Sequence, residues 1–121
     1  MTRIDANVIL RYLLNDHDQL SERAAGIIDH EETFASVEVM CEVVYVLCGV
    51  YKVDRKAVSD RLSDFADHPN IAMTDSEVFL RALNAFSGHN IDFVDSLLLA
   101  YSEVRGDKIL TFDKKLARLI G

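Results

Sequence analysis

A chain of 121 residues, 50% of them hydrophobic, with one proline, five glycines and no low-complexity tract or internal repeat, suits one compact domain and excludes a disordered or repetitive architecture. Its 13 basic and 20 acidic residues give a formal charge of −7, which argues against a protein held to phosphates by a broad basic surface, though less strongly if some carboxylates bind cations. Cys41 and Cys48 lack zinc-finger spacing and read as buried packing thiols of a reducing compartment, and with no signal-like apolar region and no charge-free stretch of spanning length, the expectation is a cytoplasmic protein with no membrane contact.

Thr2–Ile4 reads as a short strand ending at Asp5. Ala6–Leu14 follows as a helix, with Ile9, Leu10, Leu13 and Leu14 at helical spacing. Gln19–Glu31 is a second helix, Thr33–Ala35 a strand, and Ser36 stands where it would cap the next helix. Val37–Val50 is apolar almost all round, and its length favours a helix over a buried strand. Asp54–Ala66 is amphipathic, Pro69-Asn70 breaks the chain, and Ile71–Met73 is a strand. Asp75–Phe86 and Asp92–Val104 are helices, the second stopped by Gly106. Lys108–Thr111 reads as a fourth strand and Lys114–Ile120 as the last helix. Short strands alternating with helices, without hairpin signals, predict an α/β domain over residues 1–121: a short parallel sheet with helices on both faces. Ligands of such sheets sit beyond the carboxyl ends of the strands, where Asp5 and Asp113 fall.

The carboxylates carry the chemical signal. Glu42 is the only charged residue from Val39 to Tyr51, and a buried carboxylate needs a partner or a proton. Either it faces a pocket as a metal ligand, or it reaches solvent or a core arginine from a helix edge. Asp95 lies on the side of its helix that carries Leu98 and Leu99. Asp5, Asp95 and Asp113 each have an ordinary alternative as helix-start acids. Taken together, four acids from distant parts of the chain fall at strand ends or helix starts of one sheet. Such carboxylates repel one another unless cations join them, and their hard oxygens suit Mg²⁺ or Mn²⁺. A pair of such ions, about 4 Å apart, activates water and steadies a leaving oxygen in phosphodiester cleavage. Other catalytic schemes are poorly supplied. His17, His30, His68 and His89 fall in polar segments and read as surface residues, and there is neither a glycine-rich phosphate loop nor a nucleophile elbow.

Four stretches resemble a known family: Ile4-Asp5-Ala6-Asn7 through Leu14, Ser36 through Glu42 to Leu47, Phe93-Val94-Asp95-Ser96 through Ala100, and Ile109-Leu110-Thr111-Phe112-Asp113. In order and spacing they resemble the PIN-domain ribonucleases, and among these the VapC-type toxins of toxin–antitoxin pairs. The resemblance implies a metal-dependent endoribonuclease with Asp5, Glu42, Asp95 and Asp113 as its acidic site and Mg²⁺ or Mn²⁺ as cofactor. It implies that Asp92 assists, that Asn7, Thr111 and Ser36 orient the carboxylates, and that a cognate antitoxin is the protein partner beside the RNA substrate. The last acid is the most variable in that family. Arg11, Lys108, Lys114, Lys115 and Arg118 are candidate contacts for the RNA backbone, although each alone reads as an ordinary solvated basic residue. A homodimer is left open.

Two other classes compete. A Mg²⁺-binding receiver-type signalling domain needs an acceptor Asp ending a central strand and a Lys ending a late one. Asp75 follows Ile71–Met73, but Lys108 begins its segment, and Glu42 would be unexplained. A non-catalytic protein-binding module would have no use for the acid set.

Overall fold

The computed structural model describes residues 1–121. Three short strands form one parallel sheet in the order β1 (Thr2–Arg3), β2 (Thr33–Ala35), β3 (Ile71–Met73). Thr2 pairs with Thr33, and Thr33 with Ile71. Parallel neighbours need long crossovers. The helices α1 (Ala6–Leu14) and α2 (Asp18–His30) provide the first, and α3 (Val37–Gly49) and α4 (Arg55–Ala66) the second. The helices α5 (Ser76–Gly88), α6 (Phe93–Arg105) and α7 (Lys114–Ile120) complete the chain, and α5 packs most extensively on α6. The α/β expectation holds, with seven helices around a small sheet.

Helix starts follow local hydrogen bonding. Asp5, Ser36, Asp54 and Asp113 each accept a bond from the backbone N–H three residues on, and the His17 ring does the same for α2. Gly106 ends α6 at φ 71, a left-handed position that costs a glycine little. Ile9, Ile28, Met40, Leu47, Leu62, Phe79 and Leu83 fill the main core. Phe93 enters it edge-on between Phe79 and Phe86, with ring centroids 5.8 and 5.7 Å away. A smaller cluster of Ala85, Ile91, Leu99 and Leu116 seats α7.

Three expectations need correction. The fourth strand over Lys108–Thr111 does not form. No backbone–backbone hydrogen bond involves residues 108–112, and Leu110 and Phe112 are 87% and 100% exposed. Strand-forming residues make a strand only against an edge that pairs with them, and β1 offers just two residues. Second, Glu42 is not a buried carboxylate: Met40, Val43, Val44 and Leu47 of α3 face the core, while Glu42 and Tyr45 are exposed. Third, His68 is not a free surface residue. Its Nε2 lies 3.4 Å from Asp29, and its Nδ1 accepts from the Asn70 backbone.

Candidate active site

The three parallel strands send their following segments out at one carboxyl edge, where Asp5, Ser36 and Asp75 each stand within two residues of a strand end. Asp5 leaves β1 and caps α1, its Oδ1 accepting from the Val8 N–H at 3.0 Å; its carboxylate is exposed, as is Asn7 in the first turn. Ser36 leaves β2 and caps α3 through the Val39 N–H at 3.3 Å. Glu42 projects from the exposed side of α3, so the burial argument for it fails. A carboxylate in water needs no partner.

The acids that do act on one another belong to α6 and α7. Asp95, in the first turn of α6, is half-buried. Burial raises its carboxyl above the usual carboxylate range, and the charges of Asp92 and Asp113 raise it further. Asp92 occupies the cap position of α6 without bonding its side chain to the helix. Asp113 caps α7 through the Leu116 N–H at 2.8 Å, while its own N–H donates to Thr111 Oγ1 at 3.0 Å. Thr111 thus orients the segment that carries Asp113. The structure therefore sets Asp95 in the field of both Asp92 and Asp113. It leaves Asp5 and Glu42 on separate helices, with neither among the groups that shift Asp95.

Among the proposed backbone contacts, Arg11 is taken up inside the fold. Its guanidinium bonds Asp16 at 2.9 Å and the Tyr51 hydroxyl at 2.9 Å, and its Nε is buried without a partner. That geometry ties Arg11 to the segments that carry Asp16 and Tyr51. Lys115 donates to the Asn90 carbonyl at 2.7 Å and ties α7 to the α5–α6 turn. Lys114, Lys108 and Arg118 are exposed and in no ion pair.

One positioning residue was missed. Arg55 Nη1 donates to the carbonyls of Phe86, His89 and Ile91 at 3.1, 3.0 and 2.7 Å, and its guanidinium stacks over the Phe86 ring at 4.1 Å. It closes the end of α5 and fixes the turn that delivers Asp92. The available signal was its place in the first turn of a helix, where a cation opposes the macrodipole and so seeks partners elsewhere.

The donor chemistry of Asp92, Asp95 and Asp113 fits a hard divalent cation, and a cation there would offset the charges of Asp92 and Asp113 that add to the effect of burial on Asp95. The spacing is wider than a coordination shell: no three His, Cys, Asp or Glu side chains come together closely enough to hold a metal ion. The receiver-type reading fails on topology, because β3 is an edge strand and Asp75 behind it is bound to Arg105 at 2.6 Å. No helix is long and apolar enough to cross a membrane.

No curated protein and no solved structure matched the chain significantly. The family match rests instead on nearly the whole sequence: the PIN domain family matches residues 3–121. With its parallel α/β fold and its acids at the sheet edge and the start of α6, the chain belongs to the PIN domain family, whose members are generally metal-dependent nucleases.

Proposed function

We propose that this protein is a divalent-metal-dependent endoribonuclease, the toxin of a toxin–antitoxin pair, acting in the cytoplasm as a single domain of residues 1–121. The observation that carries the reading is Asp95. In a chain of a nuclease family, it is the one carboxylate raised by burial and by two acidic neighbours. Asp5, Glu42, Asp92, Asp95 and Asp113 are the carboxylates that would hold Mg²⁺ or Mn²⁺, with Asp92 and Asp113 already bearing on Asp95. Bound there, the cation supplies activation of water and stabilisation of the leaving oxygen. The chain's own part is to position. Thr111 and the Leu116 N–H fix Asp113, Arg55 fixes the turn before Asp92, and Ser36 and Asn7 border the neighbouring helix starts. Lys114 stands beside Asp113 as the exposed cation for an RNA phosphate.

The excess of carboxylates also supports a basic partner. An antitoxin Arg or Lys reaching Asp92 and Asp95 would neutralise the cluster as a cation does. The test is cleavage of RNA by purified protein with Mg²⁺ or Mn²⁺ and with excess EDTA, for wild type and Asp95→Asn. Cleavage is expected only for wild type with metal, and full activity in EDTA would overturn the metal mechanism. Expression of the chain alone should slow growth, and Asp95→Asn should relieve it. Equal toxicity of the two would count against the toxin assignment.

A further inference from the structure

Phe112 and Leu110 are the two most exposed large hydrophobic side chains of the protein, and both lie between α6 and α7. The segment runs from Gly106 to Asp113 without turn or bend, and no backbone–backbone hydrogen bond ties residues 108–112 to the fold. Its far end is nonetheless fixed. Thr111 Oγ1 accepts from the Asp113 N–H at 3.0 Å, and Asp113 Oδ1 accepts from the Leu116 N–H at 2.8 Å. The Phe112 ring therefore stands in solvent between two hydrogen-bonded residues, already presented for a partner. The charge around it runs against that of the chain. From Lys108 to Arg118 there are four cations and one acid, in a protein of net charge −7. Lys108, Lys114 and Arg118 are exposed and in no ion pair. Lys114 and Arg118, four residues apart on α7, share one face of the helix.

We propose that Phe112 is a stacking platform for one unpaired RNA base beside the scissile phosphate, with Lys114 and Arg118 holding the phosphates that follow. The proposal rests on the nuclease reading and adds to it a residue that meets the base. A free aromatic face followed by a row of unpaired cations is the chemistry of single-stranded nucleic acid, whose bases stack while its phosphates lie along the charges. Position supports the same occupant, because Phe112 immediately precedes Asp113, an acid of the candidate site. A second copy of the chain would bring the same cations against these and be repelled. An acidic peptide would satisfy the cations, but its carboxylates gain nothing from the face of a ring, which is itself electron-rich. Stacking is tolerant of base identity, so the platform selects for an unpaired base and not for a sequence.

Fluorescence anisotropy of a short labelled oligouridine in EDTA reads binding without cleavage. Phe112→Ser should weaken binding roughly 5- to 150-fold, and Phe112→Leu nearly as much, while Phe112→Trp should bind at least as tightly as wild type. The Phe112→Ser loss should vanish on an abasic ribose-phosphate oligomer of the same length. Lys114→Gln should instead lessen the salt dependence of binding, which Phe112→Ser leaves unchanged. Failure of wild type to bind, or unchanged affinity in Phe112→Ser, would overturn the platform. So would wild-type affinity in Phe112→Leu, which would make the ring an apolar contact for a protein partner. Cleavage with Mg²⁺ tests the nuclease reading apart. Wild type that binds oligouridine through Phe112 but cleaves no RNA would overturn that reading alone, and wild type that cleaves while Phe112→Ser binds equally well would overturn the platform alone. If Phe112→Ser fails to fold, Phe112→Leu and Phe112→Trp still decide the question.

Discussion

Asp113 caps α7 and at the same time bears on Asp95: one of its oxygens holds the Leu116 N–H at 2.8 Å, while its charge helps raise the Asp95 carboxyl in the first turn of α6. The two acids stand in opposite relations to the fold. Asp113 is held by the helix it starts. Asp95 is half-buried, takes part in no ion pair, and is raised first by burial, then by Asp92 and Asp113.

That relation fixes the sign of a pH effect. The folded chain holds the Asp95 proton more tightly than the unfolded chain, whose carboxyl titrates near 3.8. Ionised Asp95 therefore costs stability at neutral pH, and the cost fades as pH falls through the raised value. Asp95→Asn should melt at or above wild type at pH 7 in EDTA, with the difference shrinking toward pH 4. Mg²⁺ or Mn²⁺ at ten times Kd should raise wild type by roughly 1.4 kcal/mol, a melting shift of about 4 °C or more, and the variant should largely lose the shift. A variant that melts several degrees below wild type in EDTA would make Asp95 a structural acid.

Asp5 combines a cap with a charge, and two substitutions separate them. Asparagine caps as well as aspartate. Asp5→Asn should therefore keep the bond to the Val8 N–H and the melting temperature while RNA cleavage falls by orders of magnitude. Asp5→Ala should lose the cap as well, at a cost of about 0.5–2 kcal/mol. If Asp5→Asn cleaves RNA like wild type, Asp5 is a cap only.

Arg55 is the test of the positioning framework. Removing it leaves three carbonyls without their shared donor and uncovers one face of Phe86. Arg55→Ala should cost about 2–3 kcal/mol, since bonds to a charged donor are worth more than neutral ones. Arg55→Lys should recover only part of the loss, because an ammonium lacks the fork and the stacking plane. Thermal melts of the two variants check both statements.

Much of the fold was legible in local pattern. The strands Thr33–Ala35 and Ile71–Met73, the helix starts at Ser36 and Asp113, and the stop at Gly106 all follow from residue types whose hydrogen bonding is local. The site was legible in part. The field of Asp92 and Asp113 on Asp95 arises where α7 folds back on α6, and periodicity could suggest it only through strand ends and helix starts. Glu42 misled because composition alone does not show which side of a helix faces the core. Arg55 was hidden because its partners are backbone carbonyls of three residues, which no side-chain pattern announces. Lys108–Thr111 misled because strand propensity is realised against a partner edge, and none pairs with this segment.

The exposed connection before α7 gives the last prediction. If Leu110 and Phe112 stand in solvent as the structure has them, Phe112→Ser removes no packing, and surface substitutions away from caps and cores change stability by about 0.5 kcal/mol or less. A phenylalanine in a strand packed on the core would instead cost about 3–5 kcal/mol on truncation. The melting temperature of Phe112→Ser should therefore match wild type within about 3 °C. Thr111→Val should behave differently, because it removes the oxygen that accepts from the Asp113 N–H. A small loss of stability, near 1 kcal/mol, is expected there, together with weaker metal-induced stabilisation as Asp113 loses its orientation. A drop of ten degrees or more for Phe112→Ser would show that the segment packs as a strand in solution, and would restore the four-stranded sheet that the sequence pattern suggests.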